Sequence, residues 1–228
     1  MAPVTLGFDT ATPDSAVALI GAGDAIELLV PPGDDGRPAA GRVLLGAIED
    51  VAERAGGWER IELIAVGIGP GSFTGLRIGV STARALAQGR GLPLVGVPTT
   101  AAQLAGIAPL PEAVARPRLA VIDARRGEVF AALDAGAGPS EARVCAPGEL
   151  AGTFDPATLD GALAAGDGSV RFRDEIEAQG VEVLDDSHPA HRLSARHICS
   201  LGAGMEPVPL ERVTPNYLRR PDAKRWNG

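Results

Sequence analysis

The sequence predicts a two-lobed α/β protein, with each lobe a mixed sheet carrying helices. Apolar strand-like runs alternate with segments of helical period along the 228 residues. The pattern of apolar strand, Asp, short turn and apolar strand occurs twice, at Leu6–Ile20 and Ala120–Leu133. A Pro-marked segment at 107–118 separates the two copies, so a duplicated unit with lobes at 1–106 and 107–228 is expected.

Residues 4–8, 16–20 and 25–30 read as a strand meander joined by polar turns. A Pro/Gly/Asp loop covers 31–41. Residues 42–55 have helical period: Leu44, Ala47, Ile48, Val51 and Ala55 make one stripe, and Val43, Leu45 and Ala52 widen it. The continuous apolar run at 61–68 predicts a strand covered on both faces. A helix is expected from Leu76 to Gln88, a strand at 93–97 and a further helix from Thr99 or Thr100. In the second half, strands are expected at 119–122 and 128–133, with shorter ones near 159–165 and 181–184. Helices are expected near 169–179 and 193–203, and the irregular tail packs back on the body.

The helix expected at 76–88 carries apolar residues on two sides. Leu76, Val80, Ala83 and Ala87 form one stripe, Ile78 and Ala85 lie nearly opposite, and Gly79 permits close approach. One side should meet the lobe's own sheet. The other needs a second cover, either an internal helix or a partner, because exposing such a patch is costly.

Composition narrows the function classes. A net charge of −8 repels phosphate backbones, which disfavours tight binding to nucleic acid by this chain alone. Cys145 and Cys199 form neither a CxxC pair nor a disulfide framework, so a reducing compartment is expected. The N-terminus does not read as a signal peptide, and no run reaches the ~18 apolar residues that would span a bilayer. The expected location is cytoplasmic, with no membrane partner.

GIGPGSFTGLR at 67–77 is the strongest local signal, a Gly-rich turn from a strand into a helix. Its amides suit an anion, but a tight strand–helix connection without ligand fits equally. Neither a Walker A motif nor a dinucleotide fingerprint matches. Asp9 and Thr10 end the first strand, where they either face a metal-bound phosphate or merely cap a turn. A phosphate or nucleotide site would comprise Asp9, Thr10, Gly69, Gly71, Ser72, Thr74 and Gly75. His188, His191 and His197 lack an acidic ligand at suitable spacing and read as ordinary surface histidines. Ser72 is not in a nucleophile elbow, and no catalytic or metal residue is assigned.

FDTATPDSAVAL, AVGIGPGSFTGLRIGVSTARALAQGRGLPLVGVPTTAA, IDARRGEVFAAL and PNYLRR, in that order, resemble the TsaB (YeaZ) family. The resemblance implies an actin-like, ribonuclease-H-like (ASKHA) fold. It implies a non-catalytic scaffold that binds the paralogue TsaD and works with the ATPase TsaE. Their joint product is threonylcarbamoyladenosine beside the anticodon of ANN-decoding tRNAs, which would be met through the complex. It also implies a homodimer in isolation, no cofactor of the chain's own, and ATP or ADP only in the assembled complex. Carried onto this chain, the partner and dimer surface would be Val43, Leu44, Ile48, Val51, Leu76, Ile78, Gly79, Val80 and Ala83. TsaD has a His-x-x-x-His metal pair near the start of its corresponding helix. Residues 37–42 here contain no His, which argues against metal-assisted transfer by this chain.

Alternatives are a nucleotide hydrolase or kinase using Asp9 and the Gly-rich loop, and a metal-dependent glycoprotease. Arg125 and Arg126 crowd the place where a second phosphate turn would be small, and the glycoprotease lacks its ligands. Arg219, Arg220, Lys224 and Arg225 form a basic tail that either touches tRNA or is simply solvated.

Overall fold

The computed structural model describes residues 2–21, 23–33 and 39–219. The first sheet has the order β3-β2-β1-β4-β5. Its strands are β1 (Thr5–Asp9), β2 (Ser15–Gly21), β3 (Asp24–Val30), β4 (Leu63–Gly69) and β5 (Leu94–Pro98). β1 is antiparallel to β2 and parallel to β4, so Phe8 lies between Val17 and Val66. The second sheet, from β6 (Arg118–Arg125), β7 (Glu128–Asp134), β8 (Arg143–Cys145), β9 (Leu163–Ala165) and β10 (Glu182–Val183), has the order β10-β9-β6-β7-β8. β6 is antiparallel to β7 and parallel to β9. Read from β8, this repeats the first sheet strand for strand, so the duplicated hairpins are duplicated sheets.

Helix α1 (Ala40–Arg54) buries Ala40, Leu44, Ala47, Ile48, Val51 and Ala52. Residues at i, i+3 and i+4 share a helix face, and this face closes one side of the first sheet with β1, β2 and β4 side chains. Each fully buried Leu, Ile or Val there contributes roughly 1.5–3 kcal/mol relative to exposure.

Helix α2 (Phe73–Arg90) begins three residues before the expected start, because the Ser72 hydroxyl accepts from the Gly75 amide and caps it. It ends at Gly91 with φ 66° and ψ 28°, a left-handed terminus that glycine adopts without strain.

Helix α3 (Thr99–Ile107) follows β5, and α8 (Ala195–Gly202) is the last helix. The helices between them are short: α4 (Leu150–Thr153), α5 (Pro156–Leu159), α6 (Asp167–Arg171) and α7 (Arg173–Glu177). The expected single helix near 169–179 is therefore broken. Phe172, at φ −120° and ψ 34°, leaves helical geometry between α6 and α7.

The boundary at 106/107 divides the strands but not their covers. α8 packs on β1, β2 and β4 of the first sheet, while α3 packs on β6, β7 and β9 of the second. Cys199 and Ala195 of α8 meet Ala16 and Ala18, and Leu104 and Ile107 of α3 meet Ala120 and Ala132. Arg192 also ties to Asp14 through two hydrogen bonds of 2.8 and 2.9 Å. The tail returns to the first lobe, where Val213 is buried, in keeping with the expectation of a tail packed on the body. Among the described residues no helix is long and apolar enough to cross a membrane.

Candidate functional site

The first-lobe turn is built by close approach. Gly71, Gly75 and Gly79 recur every four residues and face Thr10 and Ala11, the first two against backbone and the third against the Thr10 side chain. A Cβ on Gly75 would lie 1.9 Å from the Thr10 carbonyl oxygen, one on Gly71 would lie 2.5 Å from that of Ala11, and one on Gly79 would lie 2.4 Å from Thr10 Oγ1. Only glycine allows such contacts. Thr10 Oγ1 donates to the Gly75 carbonyl at 2.7 Å, and the Ser72 amide donates to the Ala11 carbonyl at 2.7 Å.

Asp9 lies beneath this contact, fully buried. Its Oδ1 accepts from the Ala11 amide at 2.6 Å and its Oδ2 from the Thr99 hydroxyl at 2.7 Å. Thr99 Oγ1 in turn accepts from the Gly69 amide at 3.0 Å. Burial pushes the Asp9 carboxyl up to about 6, and the Thr99 and Ala11 hydrogen bonds offset only part of that. The amides of Gly69, Ser72 and Gly75 are thus engaged by the protein itself. Asp9 serves as the keystone of the turn, and its two oxygens are both satisfied internally.

The second lobe repeats the motif with other chemistry. Gly166-Asp167-Gly168-Ser169 stands after β9 where Gly69-Pro70-Gly71-Ser72 stands after β4. A Cβ on Gly166 would lie 2.0 Å from the Val121 carbonyl oxygen, and one on Gly168 2.8 Å from the Ile122 carbonyl carbon. Asp123 stands near the end of β6, two residues before its last residue, as Asp9 stands at the end of β1. Its Oδ2 meets Arg171 at 2.8 Å and Arg125 at 3.1 Å. Asp167 accepts from the Asp123 amide at 3.1 Å, and burial pushes its carboxyl up to about 6.

Between the lobes lies a cleft of about 330 Å³. Gly71, Ser72, Phe73 and Thr74 line it from the first lobe, Asp123, Arg125 and Asp167 from the second, and Asn216–Arg219 from the tail. Of the residues expected at a phosphate site, Gly71, Ser72 and Thr74 reach the cleft wall. Asp9, Thr10, Gly69 and Gly75 pack behind it. Arg171 and Asp167 are additions that pattern reading did not single out, and the tail, expected only to pack on the body or to offer a basic end, lines the cleft through Asn216–Arg219. A repeated Gly-x-Gly-Ser was the available signal for Asp167.

The proposed interface set needs correction. Leu44, Ile48, Val51, Leu76, Gly79, Val80 and Ala83 are buried within the single chain, so they are core and offer no surface. Their stripe is the one that meets the sheet. Val43 and Ile78 are only partly covered. The surface left on these helices belongs to Leu45, 63% exposed, together with Gly46, Ser81 and Ala85. A Cβ on Gly41 would touch Ile78 at 3.6 Å, so α1 and α2 meet there, and Leu45 lies one turn further along α1 on the same side.

His191 is not a surface histidine. It is buried, with Nε2 2.9 Å from the Asp185 carbonyl and Nδ1 3.3 Å from Ser169 Oγ, and so locks the second-lobe turn. His188 accepts from the Ala190 amide, and burial holds the His197 imidazole below its ordinary pKa. No group of three or more His, Cys, Asp or Glu among the described residues could hold a metal. Of the histidine-free stretch, residues 39–42 are described and 37–38 lie outside the described residues, as do Arg220, Lys224 and Arg225 of the basic tail.

The family model described as TsaD, tRNA N6-adenosine threonylcarbamoyltransferase, matches residues 41–145. The Escherichia coli tRNA threonylcarbamoyladenosine biosynthesis protein TsaB is 41% identical over 88 residues, 38% of this chain and 37% of that protein. A ROK hexokinase from Thermus thermophilus superposes with a TM-score of 0.50 at 13% identity, over 86% of this chain and 98% of the other, which speaks for the two-lobed ASKHA-like fold alone. YeaZ from Pseudomonas aeruginosa superposes with a TM-score of 0.75 and is 30% identical, covering 95% of this chain and all of its own. Likeness at that level from end to end, with the Gly-rich turn inside it, makes this chain a member of the TsaB (YeaZ) family.

Proposed function

We propose that this chain serves threonylcarbamoyladenosine biosynthesis as a non-catalytic subunit that binds TsaD, works with TsaE and meets ANN-decoding tRNA only through their complex. Its place is the cytoplasm, and it forms a homodimer until TsaD replaces the second copy. The observation that carries this reading is the internal satisfaction of the two hairpin acids, Asp9 and Asp123. Asp9 is sealed under the Gly-rich turn by Thr99 and Ala11, and Asp123 is held by Arg125 and Arg171. Asp9 is turned away from the cleft, and Asp123, which lines it, is occupied by two guanidiniums, so neither is a free base there. ATP or ADP accordingly acts in the assembled complex and is not a cofactor of this chain.

The docking face is the outer side of α1 and α2, centred on Leu45, Ile78 and Ala85 with Gly46 and Ser81 allowing close approach. The test combines purified chain, TsaD, TsaE, ATP and a threonylcarbamoyl-adenylate supply with an ANN-decoding tRNA. Modification should require the chain, and the chain alone should give none. Leu45→Asp with Ala85→Arg should abolish co-purification with TsaD while leaving the melting temperature within a few degrees, since both sites are exposed. TsaD capture unaffected by that pair would sink the docking face, and modification independent of the chain would sink the scaffold role. Val80→Asp and Ala83→Asp are unsuitable, because each places a charge in the core.

A further inference from the structure

Seven residues after the last 3-10 turn, at Leu210–Arg212, run from the first lobe to the second across the mouth of the cleft. Val213 is anchored in the first-lobe core. The Asn216 amide donates to the Ile68 carbonyl at 2.7 Å, at the irregularity between Gly67 and Gly69 where the β4–β5 register shifts. The Tyr217 ring lies 4.9 Å from that of Phe73, the first residue of α2, and its hydroxyl accepts from Arg77 Nε at 3.3 Å. Arg77 also covers the Phe73 ring at 4.1 Å.

One residue later the chain is on the other lobe. Leu218 packs with Ile122, Ala124 and Phe130. Arg219 donates to the Ala124 carbonyl at 2.9 Å and the Arg125 carbonyl at 3.3 Å, and pairs with Glu128 at 3.2 Å. The tip it grips is an unfavourable one. Arg125 and Arg126 both have positive φ, 65° and 55°, in a turn where long side chains are disfavoured. Arg219 satisfies carbonyls that this tip turns outward.

We propose that Val213–Arg219 is a strap that fastens the β6–β7 hairpin to the start of α2 and so sets the width of the cleft. Both ends are specific: an aromatic and cationic stack on one lobe, a guanidinium on two carbonyls and a carboxylate on the other. Four consecutive residues, Asn216–Arg219, span the gap, so slack is small and release of one end is felt at the other. Arg77 lies on the exposed side of α2, so the strap also joins the cleft to the helix assigned above to partner docking.

The strap is tested on the full chain by amide hydrogen exchange. Arg219→Gln with Leu218→Ser cuts only the second-lobe end. A strap requires exchange to rise about tenfold or more at the hairpin 123–130 and also at the first-lobe turn 71–76, which neither substituted side chain touches. Amides of α1 and β1 should stay within about twofold of the parent rates. Tyr217→Phe keeps the ring stack and should leave both regions near parent rates, whereas Tyr217→Ala should loosen both. If the double variant does not fold, Arg219→Gln alone gives the same reading. Faster exchange confined to the hairpin would overturn the strap, because the tail would then be a local contact. A uniform rise including α1 would overturn it as well.

Discussion

In the first lobe, Gly69-Pro70-Gly71-Ser72 leads from β4 into a helix of 18 residues; in the second, Gly166-Asp167-Gly168-Ser169 leads from β9 into one of five. Both turns press glycines against the preceding strand-end backbone, at Ala11 and at Ile122. The acids behind them have gone separate ways. Asp9 is enclosed and satisfied by an amide and a hydroxyl, without a cation. Asp123 keeps two arginine partners that are 59% and 52% exposed. One architectural position thus tolerates either a buried carboxylate held by hydrogen bonds alone or a buried carboxylate paired with arginines that reach solvent. What persists in both is the backbone contact, which marks it as the structural part of the motif.

The largest expected effect breaks that contact. Gly75→Ala puts a methyl 1.9 Å from a backbone carbonyl oxygen that cannot move without displacing β1. We expect a loss of about 3 kcal/mol or more, at the upper end of overpacking, read by urea unfolding. A cost below about 1 kcal/mol would mean that the first-lobe turn is looser than the contacts imply.

Next is the pH dependence of the buried acids. Asp9 and Asp167 each have a folded pKa near 6 against an unfolded value of 3.8. Between these values the unfolded chain has released the proton and the folded chain still holds it. Stability from each group therefore falls as pH rises from about 4 to 6 and is flat above, by at most about 3 kcal/mol per group. Asp9→Asn should remove the first-lobe share of this slope and leave the Asp167 share. An unchanged slope in denaturation curves at pH 4, 5, 6 and 7 would contradict the enclosure of Asp9.

The smallest effect sharpens the contrast from the other side. Asp123→Asn loses two ion pairs in which the carboxylate is buried but both arginines are more than half exposed, so solvent screens them and about 1 kcal/mol is expected, shrinking in 1 M salt. A salt-independent cost of several kcal/mol would mean that the arginine partners are shielded from solvent as well.

The lobes were legible in the sequence because each opens with an apolar hairpin whose strands pair as the pattern requires, Phe8 with Val17 and Ile122 with Phe130. The helix near 169–179 was misread as continuous because periodicity does not register one residue leaving helical geometry, as Phe172 does. The interface residues failed for a related reason. An apolar stripe states that something covers Leu44, Val51 and Val80, but the pattern is the same whether the cover is a sheet or a partner. Nor could spacing decide between anion loop and tight connection. That required knowing that Gly71, Gly75 and Gly79 face residues 10–11, which are distant in sequence.

The exchange of helical covers between the halves has a practical corollary. A chain cut between α3 and β6 would yield one piece whose first sheet has lost α8 and another whose second sheet has lost α3. Each fragment would bare an apolar surface that only the other can shield. Mixing the two pieces should restore what neither holds alone, with the crossed helices acting as mutual clasps.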